Sequence, residues 1–423
     1  MRGRHLVAAF GNRGFRRLFA VRVACQFGDG VFQASLAGAV LFDPERQGSA
    51  ADIAAAFAVL LLPYSLIGPF AGVLLDRWWR QRVLVFANVT RAVLVLGVAA
   101  ELVVGVSGAP FYASGLVIIS ITRFVLAALS AALPKVVPEA ELVTANAISS
   151  TIGTISAAAG GGLAIGLRAI IGDTDRDYAV IAAASLVPYF VAALAATRFA
   201  RRALGPSDAE RRARETPAEV LRGLLAGGRM VRATPLVADG LLMIGAHRLL
   251  YGIWTVCTVL LYRNYFTDHG FFRAGVTGLG QVVAAVAVGG GLASLLTPVA
   301  FRHFGPVRWP AAMLVGSAVV ELGCGLPYTK PLLVLAALLL AFTSQAIKIS
   351  IDTLVQQDVA DAFRGRVFAL YDMLFNVALV IAAALTAAAL PENGYSPASI
   401  GAVAAGWLLL AGLYVRSSRR TTA

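Results

Sequence analysis

Gly72-Val-Leu-Leu-Asp76-Arg77-Trp78-Trp79-Arg80-Gln81-Arg82 is a short polar turn set between two apolar runs, 53–75 and 83–104. Each run is long enough to cross a bilayer as a helix, which takes about 20 predominantly apolar residues. Within the turn, Gly72 lets the flanking helices approach closely. Asp76 offers a carboxylate to a helix N-terminus or an arginine. Arg77, Arg80 and Arg82 hold the turn in the cytoplasm, because short cytoplasmic loops collect basic residues.

The same pattern extends outward over the whole chain. Further apolar runs fall at 18–42, 111–133, 145–170, 178–200, 236–261, 275–300, 309–328, 331–353, 367–390 and 398–416, which gives twelve predicted spans. Of the 423 residues, 58% are hydrophobic and 14% charged, whereas soluble domains carry about 25% charged residues. That excludes an ordinary soluble enzyme. The predicted fold class is an all-α membrane protein, twelve transmembrane helices in two pseudo-symmetric six-helix bundles. The bundles are 1–200 and 236–423, joined by a polar cytoplasmic linker at 201–235. Within that linker 217–230 reads either as a short surface helix or as solvated chain.

The formal charge of +13 does not point to nucleic acid, because the basic residues sit in short loops between apolar runs. Loops on the side of the termini hold 25 Lys and Arg, and the opposite loops hold 5. The positive-inside rule therefore places both termini in the cytoplasm of a multi-pass protein. The first 17 residues carry five arginines and lead into the first span without a small-residue cleavage site, so the span is expected to be retained. Lysine occurs only at 135, 330 and 348, an arginine bias that hints at a GC-rich bacterial genome, and with the spans and loop charges the expected location is the bacterial plasma (inner) membrane. Cys25, Cys257 and Cys324 all lie in apolar runs and are expected to be free thiols.

The Gly72–Arg82 turn resembles the G-x-L-a-D-r-x-G-r-[kr] signature between helices two and three of the major facilitator superfamily, with Trp79 where that family has glycine and Gln81 where it has a base. Ser120-Ile-Thr-Arg123-Phe-Val-Leu-Ala-Ala is similar to the superfamily's intramembrane arginine motif, without its usual Gln-Gly. Val23-Ala-Cys-Gln26-Phe-Gly28-Asp29-Gly30 resembles the S-q-x-G-D-g element of the drug/proton antiporter subgroup, which includes macrolide and siderophore exporters. Arg364-Gly365-Arg366-Val367-Phe368-Ala369-Leu370 is similar to that subgroup's R-G-R-V-f-a-l segment. The halves also resemble each other, since Val98-Ala-Ala-Glu101-Leu and Ala318-Val-Val-Glu321-Leu lie 220 residues apart.

An ionisable side chain at a helix centre costs about 2.5–3.5 kcal/mol on insertion scales, so each one is a functional candidate. In the first span Arg22, Gln26, Asp29 and Gln33 recur at steps of 4, 3 and 4 and form one helical stripe, which is expected to line a wet cavity. Asp29 reads as a proton-coupling carboxylate or as the partner of Arg123 or Arg248. Arg123 reads as an anion anchor or as a counter-ion. In the seventh span His247, Tyr251 and Trp254 share a face beside Arg248 that suits an amphipathic ligand, although a lone histidine is more often structural. In the tenth span Gln345, Lys348 and Asp352 share a face, with Lys348 and Asp352 spaced to neutralise each other. Glu101 and Glu321 stand near the outer ends of spans three and nine, where coupling, interhelical bonding and snorkelling are all open.

The resemblance implies a cavity lined by helices 1, 4, 7 and 10, with Gln26, Gln33, Arg123, His247, Arg248, Tyr251, Trp254, Gln345 and Lys348 facing substrate. Asp29, Glu101 and Glu321 are its proton-coupling candidates, and Gly72, Asp76, Arg77, Arg80, Asp352 and Arg366 its cytoplasmic gate. Its partners are membrane lipid, a small-molecule substrate and protons, and it works as a monomer. Gly160–Gly162 and Gly289–Gly291 lack the Lys-Ser/Thr of a phosphate loop and read as helix-packing glycines. No catalytic triad order or metal-ligand spacing occurs, so neither cofactor nor metal is expected. The expected function is proton-coupled export of an amphipathic or drug-like compound. The alternatives are a lipid or lysophospholipid transporter on the same scaffold and a non-transporting membrane scaffold or receptor.

Overall fold

The computed structural model describes residues 11–42, 78–205, 217–267, 270–391 and 393–421, with 59 and 75 as isolated positions. Its helices are α1 (Arg13–Phe42), α2 (Arg80–Val104), α3 (Ala109–Ala132), α4 (Glu139–Ile171), α5 (Asp175–Ala184), α6 (Leu186–Thr197) and α7 (Pro217–Ala233). They continue as α8 (Pro235–Leu260), α9 (Gly275–Val320), α10 (Lys330–Asp358), α11 (Asp361–Ala389) and α12 (Pro397–Thr421). No strand occurs among the described residues. The second predicted span, with Gly72, Asp76 and Arg77 at its end, lies outside them apart from Val59 and Leu75.

Nine helical segments among the described residues are long and apolar enough to cross a membrane. Side chains such as Phe86, 65% exposed, and Leu242, 70% exposed, face outward from them. Large apolar residues on the outside, in a chain this poor in charge, are what a lipid solvent selects. The first helix is not among the nine, because its arginines and polar stripe dilute its apolar character.

Three predicted spans take a different form. The predicted sixth span is broken into α5 and α6 at Ser185. Pro188 has no N–H to continue the helical ladder there. The predicted eighth and ninth spans run together as α9, which bends at Gly305, where φ is 81°. With its closing π turn α9 extends to Gly325, a stretch of 51 residues, more than twice the length of about 20 that one crossing needs. The narrow joint at Pro327–Pro331 is a real break, because α9 and its π turn stop at Gly325 and α10 starts at Lys330.

The chain divides into two compact units, with the boundary inside α7 between Val220 and Leu221. In the first unit α1 packs on α4, α5 and α6, and α2 packs on α3, α5 and α6. In the second, α8 packs on α10, α11 and α12, and α9 packs on α10 and α12. Two crossings are tight enough to demand glycine. A methyl at Gly30 or Gly160 would run into the backbone of Ala157 or Phe27 where α1 meets α4, and one at Gly289 would strike Leu338 where α9 meets α10.

The linker resolves in favour of the surface helix, α7, while 206–216 lie outside the described residues. Gly223 and Gly227 of α7 rest on Arg366 of α11, a residue expected at the cytoplasmic gate. Arg366 is exposed, with its guanidinium 5.7 Å from the Phe363 ring.

Candidate functional site

A dense polar cluster lies inside the first unit and is centred on Asp29. Its Oδ1 accepts from Arg91 Nη1 at 2.6 Å, from Thr122 Oγ1 at 3.0 Å and from Tyr189 OH at 2.9 Å. Four helices therefore meet on one carboxylate oxygen: α1, α2, α3 and α6. Arg91 also donates to Thr122 Oγ1 at 3.0 Å and to the side-chain oxygen of Asn88, and its guanidinium lies 4.3 Å from the centre of the Tyr189 ring. Asn88 in turn donates to the Leu84 carbonyl. Asp29 is 4% exposed, and Arg91, Asn88 and Tyr189 are fully buried.

Local sequence explains how each group arrives there. Asn88 and Arg91 are three residues apart on α2, so they share a face. The break at Ser185 places Tyr189 at the start of α6, aimed at Asp29. Gly28 and Gly30 flank Asp29 and let α6 and α4 come close to α1.

One expectation is corrected: within the first unit Asp29 pairs with Arg91, not with Arg123. Arg22 and Asp29 of the α1 stripe are both buried among protein groups. Arg22 donates to Gln26 Oε1 at 3.1 Å and to Ser149 Oγ at 3.3 Å, and Gly153 of α4 leaves room for that contact. Gln26 and Gln33 are half-buried. Arg123 is half-buried on α3, next to Thr122 of the Asp29 cluster. Arg80, expected at the gate, is buried and donates to the Ala131 and Leu204 carbonyls at 3.0 and 3.3 Å, tying the end of α3 to the turn after α6.

The second unit has a different arrangement. The Arg248 guanidinium sits 4.2 Å from the Phe375 ring and 5.5 Å from that of Tyr251. Tyr371 touches Phe375 at 6.0 Å between ring centres, and Lys348 Nζ lies 5.3 Å from the Tyr371 ring. Lys348 also donates to Asp352 at 2.8 Å, the local pair read from their spacing. Gln345, one turn before Lys348 on α10, is half-buried. These groups of α8, α10 and α11 form one cationic and aromatic cluster.

His247, Tyr251 and Trp254 are all buried, and the Tyr251 ring also lies beside the Arg248 guanidinium. His247 is 1% exposed and lies 6.0 Å from Trp407 of α12, and Trp254 is buried. Neither His247 nitrogen, nor the Trp254 and Trp407 indole N–H, meets a hydrogen-bond partner among the described residues.

The two glutamates of the internal repeat differ. Glu101 is half-buried and accepts from Ser114 of α3 at 2.7 Å. Glu321 opens the π turn that ends α9 and is 1% exposed, so snorkelling does not describe it. Its Oε2 finds no hydrogen-bond partner among the described residues. Among those residues, no three His, Cys, Asp or Glu gather as metal ligands would.

Buried charge networks inside apolar helices long enough to span a bilayer mark a multi-pass membrane protein with functional intramembrane polar groups. The Major Facilitator Superfamily pattern matches residues 18–383, and the chain belongs to that superfamily. Uncharacterized MFS-type transporters of Mycobacterium bovis and Mycobacterium tuberculosis are each 41% identical over 407 residues, which cover 95% of this chain and 90% of theirs. Among solved structures, a POT family peptide transporter described as auto-inhibited aligns with a TM-score of 0.70 at 12% identity, covering 96% of this chain and 97% of its own. The nucleoside transporter NupG aligns with a TM-score of 0.66 at 15% identity, covering 96% and 98%. The likeness to the solved structures is one of fold. The protein is a secondary transporter of this superfamily.

Proposed function

We propose that the chain is a proton-coupled exporter of an amphipathic or drug-like small molecule, related to the drug/proton antiporters. It works as a monomer in the bacterial inner membrane with both termini in the cytoplasm. Two six-helix bundles open a midplane site alternately to either side, with Asp76 as the latch at the cytoplasmic face.

The observation that carries the coupling step is the convergence of Arg91, Thr122 and Tyr189 on Asp29 Oδ1. A buried ion pair is worth little as a source of stability, yet breaking it is expensive, which suits a two-state element. Protonation of Asp29 removes the counter-charge of Arg91 and loosens the tie between α1 and α2. Deprotonation restores it. A proton is thereby converted into a change in helix packing, which alternating access requires. Glu101 and Glu321 are the further proton-carrying candidates, and Arg123 and Arg248 anchor ligand or balance charge.

The reading is tested with the protein in proteoliposomes that contain a pH-sensitive dye. Amphipathic compounds are added under an imposed pH gradient. The expected result is compound-evoked proton movement that exceeds the leak of protein-free vesicles. No compound-evoked movement across a set of anionic, neutral and cationic amphiphiles counts against proton coupling.

A further inference from the structure

Arg91, Lys348 and Arg248, three long cationic side chains of these helical clusters, are balanced unequally. Arg91 has Asp29 at 2.6 Å, and Lys348 has Asp352 at 2.8 Å. Arg248 has no carboxylate against it among the described residues, and its Nε is buried without a hydrogen-bond partner. Its surroundings are ring faces: Phe375 at 4.2 Å and Tyr251 at 5.5 Å. Aromatic faces attract a cation, but they carry no net charge and accept no strong hydrogen bond. An arginine guanidinium stays protonated, so neutralisation by proton loss is closed to it. A cation kept at that depth without a counter-ion lacks half of an ion pair.

We propose that the missing half is the substrate, and that the substrate is an amphipathic monoanion. This rests on the reading of the chain as a transporter. A carboxylate, sulfonate or phosphate monoester engages the guanidinium fork through paired hydrogen bonds. A flat apolar body beside that head group lies along the half-buried Phe375 ring, whose centre is 6.0 Å from that of Tyr371. Lys348 does not call for a second acidic group, because Asp352 already answers it. One net positive charge beside an aromatic ring selects one negative charge on an apolar frame, and it disfavours organic cations by direct repulsion.

The test uses the full-length protein in nanodiscs and three probes with one body: 2-naphthoate, 2-naphthylmethanol and 2-naphthylmethylamine. Binding is read by calorimetry. Naphthoate is expected to bind at least about tenfold tighter than the other two, the scale of one charge-assisted hydrogen bond. Arg248→Gln is expected to reduce naphthoate to the affinity of the alcohol, and Arg248→Lys to keep part of the preference. Phe375→Leu checks the ring contact independently and should weaken all three probes. Thermal melts of each variant establish that it is folded.

Equal or tighter binding of the alcohol or the amine, unchanged naphthoate binding in folded Arg248→Gln, or no naphthoate binding by the folded wild type each overturns the assignment. The three probes are then run in the proton-movement assay. Proton movement evoked by the amine or alcohol but not by naphthoate also overturns the monoanion and leaves the transporter reading standing. Naphthoate binding without any proton movement supports the monoanion and counts against proton coupling.

Discussion

Arg91 Nη1 lies 2.6 Å from Asp29 Oδ1, and the two side chains are 0% and 6% exposed. Because the pair is buried, each partner exists to satisfy the other, and removing one strands a charge. Asp29→Ala and Arg91→Ala are each expected to lower stability by about 3–5 kcal/mol. The double variant should lose clearly less than the sum of the two, because no orphan charge remains. Thermal unfolding in detergent, read as a double-mutant cycle, measures this. Additive losses would mean that the contact carries no coupling.

Tyr189 supplies a third donor to the same oxygen at 2.9 Å and presents its ring to Arg91. Tyr189→Phe keeps the ring and deletes the donor, so a loss of about 1 kcal/mol is expected. Tyr189→Ala should cost several times more. Equal effects of the two would show that the hydroxyl is irrelevant.

Much of the fold is legible in the sequence because hydropathy and Arg placement report directly on spans. Asp29 stands out as the lone acid of its stripe. Arg91 did not stand out, since it is one charge in an otherwise apolar run, 83–104, and its partner lies on a helix 62 residues away. The signal was depth. Asp29 and Arg91 sit eleven and eight residues into spans that run in the same direction, which places them within about 5 Å along the bilayer normal. Two opposite charges at one depth are natural partners. The core position of His247 was less legible, because spacing defines a shared face but not which neighbour that face meets. Nor does composition announce the bend at Gly305, which needs φ 81°.

Gly30 and Gly160 mark where α1 and α4 touch through their backbones. Gly30→Val and Gly160→Val are expected to abolish a monodisperse chromatographic peak. Gly97→Val, on α2 with open space around it, should leave the peak intact. Normal behaviour of both interface variants would show that the helices do not cross this closely.

The Lys348–Asp352 pair is one-third and one-quarter exposed, so water screens it. Lys348→Gln should change stability by no more than about 1 kcal/mol. A loss on the scale of the Arg91 variants would mean that Lys348 holds a second, essential contact.

Glu321 is buried with Oε2 unanswered among the described residues. Glu321→Gln preserves shape and removes the possibility of an unpaired charge, so its melting temperature is expected at or above that of the wild type. A marked fall would show that the carboxylate has a stabilising ionic partner.

The most direct measurement is pH-gradient-driven flux by Asp29→Asn in proteoliposomes. Asparagine keeps an oxygen for Arg91, Thr122 and Tyr189 while removing the proton-responsive charge. The expected result is a variant that expresses, stays folded and no longer couples flux to the gradient. Flux equal to that of the wild type would remove Asp29 from the mechanism.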